Sequence, residues 1–208
     1  ILSVYMEIGV LVKGKEVHVS ILEDGLEEDV FVGSALVSMY GACGALDEAC
    51  YVFEKMKKRT VVTWTAMLVA YTNKGYNEKA IEIFGWMRNE GLDVYEGLFV
   101  NVLCACADVE CLPKGRWVHE CVVEDGYEAC PKVANALIMM YGAGGALEDA
   151  LYVFEALEDG NVESWNSLMS VCVRQGEEET AFSLYRKMMD GSVLPDMLTY
   201  LILLGACA

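Results

Sequence analysis

The amino-acid sequence predicts an all-α fold, a solenoid of stacked helix-turn-helix repeats. Two observations predict it. A specific segment occurs twice, as MYGACGALDEACYVFEKM from Met39 and as MYGAGGALEDALYVFEAL from Met140, and long-period repeats of this kind are typical of solenoids and arrays. Within each copy, apolar residues recur at the spacing of one helix face. Helical hairpins of this kind cannot bury their apolar faces alone, so we expect them to stack on their neighbours.

The composition agrees with a packed structure. The chain has 208 residues, of which 55% are hydrophobic, enough for one domain or a short array and far above a disordered composition. No apolar run approaches the roughly 18 residues that span a membrane, so we expect no membrane partner. Because the chain begins at Ile1 rather than Met, we expect an internal fragment whose targeting segment would lie elsewhere.

A constant offset of 101 positions relates the two copies. The offset runs through the chain without an insertion and joins His18 to His119, Tyr40 to Tyr141, Phe53 to Phe154, Trp64 to Trp165 and Cys106 to Cys207. Such a unit is too long for one hairpin. Inside it, GALDEACYVFEKM from Gly44 is repeated as GYNEKAIEIFGWM from Gly75, and more loosely as CLPKGRWVHECVVEDG from Cys111. We therefore expect three helical hairpins in each unit.

Local patterns place the helices and their ends. Leu46, Ala49, Phe53 and Met56 recur at intervals of three and four residues, which makes an apolar stripe along one helix. Glycine in a left-handed conformation often ends a helix, and alanine allows two helices to approach closely. These roles are expected for Gly44, Gly75, Gly145 and Gly176, and for Ala49, Ala80, Ala150 and Ala181.

The sequence resembles pentatricopeptide repeat proteins of the land-plant PLS subclass, in which standard, long and short motifs alternate. The resemblance is carried by VFVGSALVSMYGACGALDEACYVFEKM, VVTWTAMLVAYTNKGYNEKAIEIFGWMRNEGL and CLPKGRWVH. It implies one right-handed superhelix. It also divides the whole chain into a partial long motif 1–29, a short motif 30–60, a standard motif 61–95, a long motif 96–130, a short motif 131–161, a standard motif 162–196 and the start of a long motif 197–208.

The resemblance implies sequence-specific binding of single-stranded RNA. In such proteins the first helices line a groove in which each motif faces one nucleotide, and reading one base with two or three side chains suits an unpaired strand. The protein would then be a module of an organellar RNA-processing or RNA-editing factor, located in a mitochondrion or chloroplast. Editing-accessory proteins would be further partners.

In the family, the fifth and last residues of a motif hydrogen-bond the base edge. Carried over to this chain, these base-reading pairs are Asn166 with Asp196, Thr65 with Tyr95, Asn135 with Asn161, and Ser34 with Thr60. Asn166 with Asp196 matches uridine, and Asn135 with Asn161 resembles a pyrimidine-preferring pair. Tyr95 departs from the usual polar residue. The long motif has apolar Val100 with Cys130 and should read no base.

The second residue of a motif packs on the face of the base. Val62 fits this base-packing role, whereas Lys132 and Glu163 depart from the family's apolar residue. Glu163 is the larger misfit, because its charge would lie beside the phosphates of the bound strand.

The net charge of −17 also opposes RNA binding, since most RNA-binding proteins carry a basic field. The basic cluster Lys55, Lys57, Lys58 and Arg59 has Ala156, Glu158, Asp159 and Gly160 as its counterparts in the second copy. We expect the acidic runs Glu23–Asp29 and Glu177–Glu179 to lie on outer, solvated faces. Two interpretations remain: further repeats supply affinity, or RNA binding is partly lost. The alternative function is therefore an acidic helical-repeat scaffold for protein–protein interaction.

No residue pattern indicates catalysis. The 9 cysteines include no C-x-x-C pair, so Cys104, Cys106, Cys111 and Cys121 with His119 are a poor zinc site, and we expect neither a metal nor a cofactor. His18 and His119 recur without a nearby recurring nucleophile, which favours a structural role. The deaminase signature that ends some relatives is absent. We expect no enzyme activity and no small-molecule substrate.

Overall fold

The computed structural model describes residues 2–157 and 160–207, and every regular element in these ranges is an α-helix. Glu158 and Asp159, the acidic counterparts of the basic cluster, lie outside the described residues. The helices are α1 (Leu2–Glu23), α2 (Val30–Ala42), α3 (Leu46–Lys55), α4 (Val61–Asn73), α5 (Asn77–Asn89), α6 (Glu96–Asp108), α7 (Leu112–Glu124), α8 (Pro131–Ala143), α9 (Leu147–Glu155), α10 (Val162–Arg174), α11 (Glu178–Asp190) and α12 (Met197–Gly205).

The chain divides into two compact units, Ile1–Val94 and Tyr95–Ala208. In the first unit α2 pairs with α3 and α4 pairs with α5, and α2 packs on α4. In the second unit the pairs are α6 with α7, α8 with α9, and α10 with α11. There α8 packs between α6 and α10, and α10 packs on α12. Each unit is therefore a stack of helical hairpins whose first helices contact one another, as predicted.

The turn between the helices of a hairpin depends on glycine. Gly44 has φ +66° and Gly145 has φ +73°, a left-handed conformation that costs glycine little. The backbone N–H of Ala45 donates to the carbonyl of Tyr40, and that of Ala146 donates to Tyr141, each over 2.9 Å. Gly75 and Gly176 adopt the same left-handed conformation. The prediction that these glycines end the first helices is confirmed.

The core is built from recurring contacts of the same kind. Ala49, Ala80, Ala150 and Ala181 are completely buried, so the prediction of small residues at close helix contacts is confirmed. The ring of Trp64 meets Phe53 edge-on at 4.8 Å, and that of Trp165 meets Phe154 at 4.6 Å. Each ring contact joins the second helix of one hairpin to the first helix of the next.

Two further glycines set how closely the first helices approach. A Cβ atom on Gly41 of α2 would lie 2.8 Å from the Cβ of Ala70 in α4. One on Gly142 of α8 would lie 2.3 Å from a methyl of Val171 in α10. Both contacts leave no room for a side chain. This role of Gly41 and Gly142 was not predicted from the sequence.

The two histidines each bond to a tyrosine of the following helix. His18 Nδ1 lies 2.8 Å from the hydroxyl of Tyr40, and His119 Nδ1 lies 2.7 Å from that of Tyr141. Burial lowers the pKa of His119, because an apolar environment disfavours the charged imidazole. These contacts tie α1 to α2 and α7 to α8.

Candidate functional site

The last residue of each predicted base-reading pair lies at the start of a helix. Thr60 precedes α4, Asn161 precedes α10 and Asp196 precedes α12, and each side chain accepts a hydrogen bond from the backbone N–H three residues later. Serine, threonine, asparagine and aspartate are the usual residues at this position, because their oxygens satisfy free N–H groups of the first turn. Tyr95 precedes α6 without such a bond.

Asn166 and Asp196 are brought into direct contact. The Nδ2 atom of Asn166 donates to Oδ1 of Asp196 over 3.0 Å. The hydroxyl of Thr199 donates to Oδ1 of Asn166 over 2.7 Å. Asn166 is only 3% exposed, whereas Asp196 is exposed. The packing of α10 on α12 therefore joins a buried amide to a carboxylate that water can reach.

Hydrogen bonds lower the pKa of Asp196. The largest cause is the backbone N–H of Thr199, followed by the side-chain amide of Asn166. Both donors stabilise the charged form. Asp196 is therefore an anion near neutral pH, and its carboxylate can only accept hydrogen bonds.

An open groove of about 520 Å³ lies beside this contact. It is bordered by Asn135, Met139, Glu163, Asn166, Ser167, Ser170, Asp196, Leu198 and Ile202. This groove is thus bordered by three predicted base-reading residues, Asn135, Asn166 and Asp196. Glu163, the second residue of its predicted motif, borders it too. The side chains come from α8, α10 and α12, which lie in one unit.

The other pair at this groove is arranged differently. The Oδ1 atom of Asn135 is buried and has no hydrogen-bond partner among the described residues. Asn161 uses its own amide oxygen to accept from the N–H and the hydroxyl of Ser164, over 2.9 and 3.1 Å. Asn135 is therefore left with a free acceptor, whereas the amide oxygen of Asn166 is occupied.

Ser34 and Thr60 are linked through a third residue. The hydroxyl of Ser34 lies 2.6 Å from that of Thr63, and the backbone N–H of Thr60 donates to the Thr63 hydroxyl over 3.1 Å. Thr63 and its equivalent Thr199 were not predicted from the sequence. A hydroxyl residue three positions after a helix cap, which forms a capping box, is the signal that could have found them.

The predicted pair Thr65 and Tyr95 falls on two units. Thr65 lies in α4 of the first unit, and its buried hydroxyl has no hydrogen-bond partner in the described part of the chain. Tyr95 begins the second unit with an exposed ring. In the predicted long motif, Val100 is partly buried, and Cys130 precedes α8 without a side-chain capping bond.

The second-position residues are exposed, as a role in contacting a base requires. Val62 is 63% exposed, and Lys132 and Glu163 are also exposed. Lys132 forms an ion pair with Glu96 at 2.9 Å. This hydrogen bond is the main cause of the raised pKa of Lys132, and the charge of Glu163 adds to it. Lys132 is therefore paired with Glu96 and also offsets a small part of the charge of Glu163.

The acidic runs are solvated. Glu23, Glu27, Glu28 and Asp29 are exposed, and so are Glu177–Glu179 at the start of α11. This confirms the expectation that these runs lie on solvated faces. Carboxylates at the start of a helix are also favoured by the helix dipole.

Two other kinds of site are absent from residues 2–157 and 160–207. Within these ranges no helix is long and apolar enough to cross a membrane, and no three His, Cys, Asp or Glu residues are grouped as metal ligands.

Sequence comparisons identify the family. A model of the PPR repeat matches residues 34–61, 62–92 and 133–162, and a second model, of the PPR repeat family, matches residues 160–208. Together these matches cover more than half of the chain. The chain belongs to the pentatricopeptide repeat family.

Individual relatives agree with this assignment. The pentatricopeptide repeat chain is 35% identical over 200 residues to the chloroplastic protein CRR2 of Arabidopsis thaliana, covering 95% of this chain and 30% of that protein. It is 32% identical over 195 residues to another chloroplastic pentatricopeptide repeat-containing protein of the same plant, covering 94% and 32% respectively. The chain thus spans about a third of the length of these relatives.

A solved structure shows the same fold. The crystal structure of the pentatricopeptide repeat protein PPR10, in complex with an 18-nt psaJ RNA element, matches with a TM-score of 0.71 and 22% identity. The match covers 83% of this chain and 27% of PPR10. The predicted all-α fold of stacked repeats is therefore confirmed.

Proposed function

We propose that this pentatricopeptide repeat chain is a sequence-specific single-stranded RNA-binding module in which one motif faces one nucleotide. The contact between Asn166 and Asp196 carries the proposal. It places an amide donor and an anionic acceptor side by side at an open groove. A carboxylate has about four acceptor sites, so the bonds that Asp196 makes within the protein leave capacity for a ligand.

The chemistry of this pair suits uridine. The uracil edge presents carbonyl oxygens on either side of a ring N–H. The second N–H of the Asn166 amide can donate to a carbonyl, and Asp196 can accept from the ring N–H directly or through a water molecule. Neutral cytosine lacks that ring N–H. The pair is therefore expected to prefer uridine to cytidine.

Free polar atoms at two other base-reading positions add support. The buried Oγ1 of Thr65 and Oδ1 of Asn135 have no partner among the described residues. An unsatisfied buried polar group costs about 1–3 kcal/mol. A ligand that supplied the missing bond would recover part of this cost, which favours a polar ligand over an apolar one.

The motif division and the organelle are parts of the proposal. The first helices begin at Val30, Val61, Glu96, Pro131 and Val162, which are the first residues of the proposed short, standard and long motifs. The relatives named chloroplastic and the RNA-bound PPR10 support an organellar RNA-processing or RNA-editing factor in a mitochondrion or chloroplast. Editing-accessory proteins are its proposed protein partners.

A second function is favoured by the charge. The net charge is −17, and Glu163 borders the groove where phosphates would pass. These features would suit an acidic scaffold that binds basic proteins and has weak or lost RNA binding. The contact between Asn166 and Asp196 argues for RNA, because it places a donor and an acceptor for a base edge at an open groove.

Selection from a randomised single-stranded RNA pool separates the two functions. The 208-residue chain is expected to enrich sequences with uridine at one fixed position, with weaker preferences beside it. The double variant Asn166→Ala with Asp196→Ala should lose that preference. If the folded parent enriches no sequence at moderate salt, the scaffold function is the better interpretation.

A further inference from the structure

We propose that Thr199 is a positioning residue that occupies the acceptor of the Asn166 amide, so that this amide faces RNA only as a donor. The inference rests on the proposed RNA-binding function. It adds to the base-reading pair a third residue, which belongs to the first helix of the next motif.

The bonds around Thr199 fix the direction in which its hydroxyl donates. The backbone N–H of Asp196 donates to Thr199 Oγ1 over 3.1 Å. Thr199 Oγ1 lies 2.7 Å from Asn166 Oδ1 and 3.0 Å from Asp196 Oδ1. A hydroxyl carries a single hydrogen. Asp196 Oδ1 already accepts from the Thr199 N–H and from Asn166, so the Asn166 oxygen is the favoured acceptor.

Burial makes this contact consequential. Thr199 is fully buried and Asn166 is 3% exposed, so water has little access to the amide oxygen. Thr199 is also β-branched, which limits its side chain to few rotamers. The amide is therefore held from both ends, with its nitrogen on Asp196 and its oxygen on Thr199.

The neighbouring motif shows the arrangement without this contact. Ser164 stands at the equivalent place in α10, and its hydroxyl donates to Asn161 rather than to Asn135. The Oδ1 atom of Asn135 is then left without a partner. In the first unit, Thr63 contacts Ser34 as Thr199 contacts Asn166. The third residue of the next helix therefore decides whether the fifth-position side chain keeps a free acceptor.

The consequence is discrimination against bases that carry an amino group. Because the buried Thr199 hydroxyl holds the Asn166 oxygen inside the contact of α10 with α12, the amide turns only its nitrogen toward the groove and presents no acceptor to the amino group of cytosine or adenine. Removing the Thr199 hydroxyl would expose an unsatisfied oxygen, which could accept from such an amino group. Preference for uridine over cytidine should then fall by roughly fivefold, the factor for one neutral hydrogen bond.

The test compares Thr199→Val with Thr63→Val in the 208-residue chain, using a randomised single-stranded RNA pool. Valine has the shape of threonine without the hydroxyl. The parent and Thr63→Val should keep the same uridine preference at the position read by Asn166. Thr199→Val should bind RNA but accept cytidine there roughly fivefold more often. An unchanged preference in folded Thr199→Val would overturn the inference.

A second measurement is independent of RNA. In the parent, the Asn166 side-chain amide should give two well-separated proton resonances that exchange slowly with solvent, and Thr199→Val or the milder Thr199→Ala should increase their exchange rate. Unchanged amide signals would overturn the inference even if RNA binding changed. A parent that enriches no RNA would instead overturn the proposed function, and the inference with it.

Discussion

The amide nitrogen of Asn166 lies 3.0 Å from the carboxylate of Asp196, although 30 positions separate these residues in the chain. Asn166 lies inside α10 and Asp196 caps α12. The contact exists because two first helices pack on each other. The geometry of the proposed base-reading pair therefore follows directly from the stacking of the hairpins.

Substituting Asn166 should change which base is selected. The family resemblance couples threonine with aspartate to guanine, so Asn166→Thr should shift one position of the selected RNA from uridine to guanosine. The preference should change by about 1–3 kcal/mol, by analogy with single mismatches in nucleic-acid sites. Competition binding with two RNAs that differ at that position measures it. The control is Asn73→Thr, at an exposed amide that ends α4. It should leave the preferred base unchanged at every position of the RNA.

Removing the charge of Glu163 should strengthen RNA binding. Glu163→Val removes repulsion of the phosphates and restores an apolar surface for the base. We expect a gain of roughly twofold to fivefold at low salt and less at high salt, because ions screen exposed charges. Titrations at several salt concentrations measure it. Glu179→Val, on α11 and away from the groove residues, should have the smaller effect; equal effects would show that Glu163 acts only through net charge.

A side chain at Gly142 should destabilise the second unit. The added Cβ of Gly142→Ala would lie 2.3 Å from Val171, so α8 and α10 would have to separate. Overpacking of this kind costs about 1–3 kcal/mol. Gly205→Ala has open space around its Cβ, and helix propensity predicts a gain of up to about 1 kcal/mol. Urea unfolding of both variants measures the free energy of unfolding, which should fall for Gly142→Ala and rise for Gly205→Ala.

Acid should weaken the second unit through His119. Burial lowers its pKa in the folded protein relative to the unfolded chain. As the pH falls, His119 therefore takes up a proton in the unfolded chain before it does so in the folded protein. The free energy of unfolding is then unaffected above the pKa of His119 in the unfolded chain, and it decreases as the pH falls below that value. Thermal melts from about pH 8 to about pH 5 should show this loss. His119→Gln should reduce the pH dependence, and an unchanged dependence would contradict the assignment to His119.

The sequence by itself determined the helices, their order and the candidate residues of the pairs. These features are local, because each depends on residues only a few positions apart. The spacing of Gly44 and Ala49, for example, was enough to predict where one helix ends and which residue of the next helix is buried. The repeat of 101 positions then extended the same helix assignment from the first copy of the sequence to the second. Resemblance then identified Asn166 and Asp196 as one pair.

Only the tertiary structure decided how these residues meet. Gly41 and Gly142 matter because of atoms on another helix, and no local pattern distinguishes them from other glycines. The same holds for Thr199, whose hydroxyl occupies the acceptor of Asn166, and for Asn135, whose oxygen stays free although its sequence position is equivalent. A hydrogen bond depends on distances of a few tenths of an ångström, and the packing of successive hairpins fixes those distances.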